Sequence, residues 1–137
     1  MHYEVESEEE LQTIVPQLWQ EASTRNILLF RGDLGAGKTT LIKALGKHLG
    51  ITDTMSSPSF GIVNEYQINS TVMYHVDLYR IKDLNEIYEF GLPEILDSGA
   101  ICMIEWPEMT EEIWQDYDYS DISITAKKSG ARRIFVK

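Results

Sequence analysis

The chain has 137 residues, 43% of them apolar, with 12 Lys and Arg against 22 Asp and Glu and a formal charge of −10. That charge repels polyanions, so free binding to RNA or to an anionic membrane surface is disfavoured unless positive charge is gathered locally. The length suits one core without room for a second catalytic domain, so residues 1–137 read as a single domain.

The opening MHYEVESEEE is acidic and lacks the apolar centre of a signal peptide, and no apolar run approaches the roughly 20 residues that span a bilayer. A soluble cytoplasmic protein without membrane contact is expected. Ser7 and Glu10 have capping-box spacing, and Leu11, Ile14, Val15, Leu18, Trp19 and Ala22 then recur on one helical face. Asn26 to Phe30 is a short apolar run that suits a buried strand. After a glycine-rich loop, Leu41, Ile42, Leu45 and Leu49 mark a second helix that stops at Gly50. Gly61 to Tyr66 and Thr71 to Val76 read as a hairpin turning at Asn69 and Ser70, and Asp83 as the cap of a short helix. Ala100 to Trp106 reads as a buried strand containing the single cysteine, Cys102, which has no disulfide or metal partner at a useful spacing. Pro107 to Trp114 reads as a helix, and Asp121 to Lys137 as two strands turning at Ser129 and Gly130. The sum is an α/β fold, a three-layer P-loop NTPase-like domain with a mixed sheet.

The loop is the informative part. Gly32 to Thr39, GDLGAGKT, satisfies G-x-x-x-x-G-K-[ST] at every required position and lies between a predicted strand and a predicted helix. Its glycines let successive N–H groups turn inward on phosphate oxygens, and the positive end of the following helix adds to the attraction. Lys38 would bridge the β and γ phosphates, and Thr39 would offer its hydroxyl to Mg²⁺. Two carboxylates stand where strands should end, Asp77 after Val72 to Val76 and Glu105 after Ile101 to Ile104. Either suits the carboxyl edge of a sheet beside a phosphate loop, holding Mg²⁺ or orienting water. The segment Ser56 to Phe60 carries Ser59, a hydroxyl with reach to the metal, although Ser-Pro-Ser is also ordinary turn chemistry. No Asn-Lys-x-Asp pattern for reading guanine is present, which favours ATP by elimination.

GDLGAGKTT, SPSF, HVDLYR (His75 to Arg80), GLPEIL (Gly91 to Leu96) and IEWPE (Ile104 to Glu108) follow one another along almost the whole chain. In this order and spacing the chain resembles the TsaE family, also called YjeE. The resemblance implies a small ATPase that assists synthesis of threonylcarbamoyladenosine at position 37 of tRNAs reading codons that begin with A. It implies a pathway in which TsaC makes threonylcarbamoyl adenylate and a TsaD and TsaB pair transfers the group to tRNA. TsaE binds that pair and hydrolyses ATP to support turnover, with tRNA met only through the partner complex. It implies Gly32, Gly35, Ala36, Gly37, Lys38, Thr39, Thr40 and Ser59 around the nucleotide, and Thr39 and Glu105 at Mg²⁺. It also adds weight to Asp77 beside Lys38 and Glu105 in catalysis, and makes Trp106 a contact for nucleotide or partner as well as a candidate core indole. The usual family motif is Ser-Pro-Thr, whereas this chain has Ser57-Pro58-Ser59, which keeps the hydroxyl but loses the methyl that restricts its rotamer.

Two other functional classes share the loop: a small-molecule kinase, for which the middle of the chain offers few arginines beyond Arg80, and a nucleotide-binding module without hydrolysis. His75 reads as a packed or partly exposed histidine. Lys127, Lys128, Arg132, Arg133 and Lys137 gather positive charge in the tail, either to meet tRNA or an acidic partner or as a solvated hairpin edge.

Overall fold

A computed structural model describes residues 2–56, 58 and 62–137. The chain runs β1 (His2–Val5), α1 (Glu8–Ala22), β2 (Ile27–Arg31), α2 (Lys38–His48), β3 (Val63–Ile68), β4 (Thr71–Asp77), α3 (Asn85–Glu89), α4 (Leu92–Asp97) and β5 (Ile101–Glu105). A 3-10 segment (Pro107–Asp116) follows, then β6 (Ser120–Ala126) and β7 (Arg132–Val136).

Local chemistry fixes several of these boundaries. Ser7 Oγ accepts the Glu10 N–H at 3.1 Å, as the capping-box spacing predicts, while the Glu10 carboxylate reaches one residue further back to the Glu6 N–H at 2.9 Å. At the other end of α2, the Gly50 N–H bonds to the Lys47 carbonyl and the Ile51 N–H to that of Gly46, with Gly50 at φ +95°. This paired closure needs a left-handed residue, which is why the helix stops at that glycine. Asp83 acts one position earlier than a cap, its carboxylate accepting the Asn85 N–H at 3.0 Å.

The seven strands form one sheet in the order β1-β7-β6-β2-β5-β4-β3. The central run β6, β2, β5 and β4 is parallel, and antiparallel pairs flank it on both sides. Strand alternation divides the interior in two. Leu28 and Phe30 of β2, Met103 of β5 and Met73 of β4 pack with α1 and α2, whereas Ile27, Leu29, Cys102, Ile104 and Val76 pack with α3, α4 and Trp114 of the 3-10 segment. Helices therefore cover both faces, the three-layer P-loop NTPase-like α/β arrangement that the sequence predicts.

Three readings change. The helix expected over Pro107 to Trp114 is present as a 3-10 helix, Pro107–Asp116, with a break at Thr110 (φ −137°). The buried Trp114 indole donates to the Pro107 carbonyl at 2.8 Å, tying the second half of the segment to its start across the break at Thr110. Second, β1 and α4 have no counterpart among the predicted elements. Third, the basic tail is not a sheet edge, because β1 pairs along β7 from His2↔Phe135 to Val5↔Arg132. Glu4 on that added strand holds Lys127 Nζ at 2.6 Å and Arg133 Nη2 at 3.9 Å, so acidic β1 neutralises part of the basic hairpin it covers.

Leu45 is fully buried between α2 and the sheet, so Leu45→Ala is expected to lower unfolding free energy by about 2–5 kcal/mol in urea titrations. Leu34, 74% exposed, gives the contrast: Leu34→Ala should shift the same curve by less than about 0.5 kcal/mol.

Candidate nucleotide-binding site

The loop from Gly32 to Gly37 joins the end of β2 to the start of α2, and its glycines are there for geometric reasons. A Cβ on Gly32 would lie 2.6 Å from the Ile124 carbonyl oxygen of the neighbouring β6, so no larger residue fits. Gly35 and Gly37 have φ of +82° and +112°, left-handed values that side chains resist. Ala36 turns inward and is buried in the core, anchoring the loop, and its N–H closes a turn on the Asp33 carbonyl at 2.9 Å. Lys38, the first residue of α2, is buried to 4% exposure. Its Nζ donates to the Gly32 carbonyl and lies 3.3 Å from the centroid of the Trp106 ring, so the loop backbone and an aromatic face share its charge.

The acidic half of the site comes from strand ends. Parallel register sets Phe30 beside Glu105 and Glu105 beside Asp77, so the carboxyl ends of β2, β5 and β4 align next to the loop. Residues two apart on a strand share a face. Glu105 thus lies on the side of Met103, and His75 and Asp77 on the side of Met73, all facing the layer that contains α2. Thr39 Oγ1 reaches both Glu105 oxygens at 3.0 Å. His75 Nε2 meets Glu105 Oε2 at 2.6 Å, with both side chains buried. Asp77 Oδ1 accepts the Tyr79 N–H at 2.9 Å, and the Tyr79 ring packs against Trp106 with centroids 4.6 Å apart. Trp106 itself takes φ +60°, a left-handed turn that swings the indole back over Lys38 at the end of β5.

Burial pushes the Asp77 carboxyl above its ordinary value, with the neighbouring Glu105 charge acting in the same direction and the Tyr79 N–H opposing. Burial also pulls the Lys38 ammonium below its usual value, against the charges of Glu105, Glu108, Asp77 and Asp33. Among the described residues no group of three or more His, Cys, Asp and Glu side chains is arranged to hold a metal alone. The hard oxygens of Thr39 and Glu105 nevertheless fit Mg²⁺, which usually takes few protein ligands and completes its shell with phosphate and water.

Lys38, Thr39, Asp77, Glu105 and Trp106 line one pocket with the exposed Leu34 at its rim. Another pocket opens on the opposite side of the loop, walled by Val5, Leu11, Ala36 and Ile124, with Glu6, Ser7, Glu8, Thr40 and Arg132 as polar groups.

A family model described as "Threonylcarbamoyl adenosine biosynthesis protein TsaE" matches residues 5–134. The chain belongs to the TsaE family. A Synechocystis TsaE, by its name a tRNA threonylcarbamoyladenosine biosynthesis protein, is 43% identical over 102 residues, 71% of this chain and 64% of its own length. The Bacillus subtilis TsaE is 41% identical over 91 residues, 66% of this chain and 56% of its own. These matches thus span less than two-thirds of either relative. A crystal structure of Bacillus subtilis YdiB superposes with a TM-score of 0.70 at 29% identity, covering 99% of this chain and 84% of that one.

Within the TsaE fold, the predicted site residues gather around the loop as one constellation, with Thr40 and Ala36 reaching its second side. Ser59 lies outside the described residues. The sequence leaves His75 packed or partly exposed; it is fully buried, and its contact with Glu105 is not foreseen from the sequence. The signal was the spacing His75-Val76-Asp77, which puts two polar side chains on one face of an otherwise apolar strand.

Because Asp77 holds its proton more tightly folded than unfolded, its ionisation costs stability as pH rises from the ordinary value of 3.8 through the raised folded value. Asp77→Asn removes that cost, so the variant is expected to melt above the wild type at neutral pH, the gap closing as pH falls toward 3.8. Melts across this range that show no gap, or a less stable variant at neutral pH, would mean that the ionised carboxylate is stabilised in place.

Proposed function

We propose that this chain binds and hydrolyses ATP as an accessory protein of tRNA threonylcarbamoyladenosine synthesis, acting on a TsaD and TsaB pair to sustain turnover. The observation that carries this reading is the meeting of Lys38 and Thr39 from the phosphate loop with Glu105 and Asp77 from the strand ends in one pocket. Family membership supports the pathway, and TsaC belongs to it as the source of the activated threonylcarbamoyl group.

On this reading the loop N–H groups and the amino end of α2 hold the phosphates, and Lys38 turns from the Trp106 face to the β and γ oxygens. Phosphate offers that ammonium full negative charge where the ring offers only a quadrupole, so ATP displaces the indole from Lys38. Mg²⁺, when bound, would supply neutralisation of the phosphate charge. Thr39 Oγ1 and Glu105 would hold the metal, since the two are already joined. Asp77, one strand further out and less tied to the loop, orients the attacking water. The pocket across the loop, with apolar walls and with Ser7, Thr40 and Arg132 beside the carboxylates of Glu6 and Glu8, takes the nucleoside.

Hydrolysis by the isolated protein is expected to be slow. The lining of the phosphate pocket contains no arginine among the described residues, and Arg132 stands beside Gly37 on the other side of the loop. An arginine at the transferring phosphate contributes about 10³- to 10⁵-fold elsewhere, so the partner complex is the natural source of the missing stabilisation. Transfer RNA is reached through that complex, and two of the five basic residues of the tail, Lys127 and Arg133, already face Glu4. The setting is the cytoplasm.

The test is multiple-turnover threonylcarbamoylation by TsaC, TsaB and TsaD with and without this protein, following phosphate release in parallel. Wild type should sustain cycling while hydrolysing ATP. Lys38→Ala should do neither while keeping a cooperative melt, because it deletes charge at the phosphates rather than apolar core. Cycling that is indifferent to the protein defeats the reading, and label from γ-phosphate appearing on an acceptor rather than in solution points to a kinase.

A further inference from the structure

Among the described residues, one fully buried polar side chain is not used by the mechanism above. His75 is fully buried, and its Nε2 lies 2.6 Å from Glu105 Oε2. Its other ring nitrogen, Nδ1, is buried with no hydrogen-bond partner among the described residues. A polar ring placed in an apolar layer is costly unless its hydrogen bond is needed. The two nitrogens also fix the tautomer: a buried N–H without an acceptor is rarer than a bare lone pair, so the proton is on Nε2 and points at the carboxylate.

Glu105 needs that second donor. Thr39 has one hydroxyl proton and stands 3.0 Å from each carboxylate oxygen, so alone it favours neither and leaves the group free to swivel. The Nε2–H bond breaks the symmetry. We propose that His75 is a positioning residue that pins Glu105 through Oε2, so that Oε1 is the oxygen presented to Mg²⁺ or to its water. β4 places the ring by alternation, two residues before Asp77 and on the same face, and parallel pairing brings it diagonally against Glu105. The strand therefore brings two functions to the site at once, one acting toward solvent through Asp77 and one acting from the core through His75. This inference rests on the reading of Glu105 as a metal-side carboxylate.

The test uses three variants of the full chain. His75→Leu keeps comparable bulk without a donor, His75→Gln can place an amide N–H where Nε2 stood, and His75→Asn places one nearer the position of Nδ1. ATP binding is titrated calorimetrically in EDTA and at a series of Mg²⁺ concentrations, thermal melts are run alongside, and kcat and KM are measured with the partner complex present. For His75→Leu the expected result is an unchanged affinity in EDTA, with the Mg²⁺ requirement for tight binding raised about 10- to 100-fold. Its kcat should fall with little change in KM for ATP. His75→Gln should recover most of the Mg²⁺ response, and His75→Asn should not. A purely structural histidine would give Gln and Asn variants that fall together, with lowered melts and weaker binding in EDTA as well, and this result overturns the inference. So does a wild-type Mg²⁺ response in all three. If the wild type binds ATP without any response to Mg²⁺, the metal-side reading of Glu105 falls and takes this inference with it; if it binds ATP no better than Lys38→Ala, the nucleotide reading falls as well.

Discussion

A carboxylate taken out of water must be met by donors or give up its charge, and the site is organised around that requirement at Glu105. Glu105 is 3% exposed at the carboxyl end of β5, between the strand that leads into the phosphate loop and the strand that bears Asp77. Thr39 supplies a donor from the first turn of α2, and His75 Nε2 meets the same carboxylate from within β4. Three elements distant in sequence are thereby fastened to one side chain. The loop keeps its place relative to the sheet because Thr39 is held from one side and Gly32 is wedged against the Ile124 carbonyl from the other.

Charge balance around the loop follows the same logic. Lys38 is nearly as buried as Glu105, and its ammonium is satisfied by the Gly32 carbonyl and the Trp106 face rather than by a direct ion pair. Burial weakens the hold of Lys38 on its proton and strengthens that of Asp77, so both groups are less comfortable in their charged forms than they are in water. A polyphosphate with a divalent cation relieves both: it offers the ammonium an anion, and it offers the carboxylates a cation. The pocket is electrostatically incomplete in a way that matches such a ligand.

Away from the pocket, ion pairs tie the surrounding segments to the same frame. Arg31, the last residue of β2, bonds Glu111 of the 3-10 segment through both terminal nitrogens and Asp121 of β6 through Nε. The segment that follows Trp106 is thus anchored to the strand that precedes the loop. Displacement of the indole by phosphate would be felt along a segment already held at its midpoint by Arg31, with Met109, 45% exposed, between the two.

Short-range chemistry made much of this legible in the residues themselves. The phosphate loop, the Ser7 cap, the Gly50 stop and the apolar runs of β2 and β5 are interactions between neighbours a few positions apart, so local spacing specifies them. The carboxylates at strand ends could be named because a parallel strand beside a phosphate loop must end near it. Pairing between distant segments was not written in any local pattern. β1 looks like an acidic, poorly apolar start and becomes a strand only because β7 offers it a ladder and Lys127 a partner for Glu4. The closure of the segment after Trp106 depends on a buried indole meeting the Pro107 carbonyl, and the bond from His75 to Glu105 on a parallel register across thirty positions. The sequence by itself determined which chemical groups the site would contain, since caps, turns and periodicity act over a few residues. Only the tertiary structure decided which of those groups touch, because strand register and burial are set by the whole sheet.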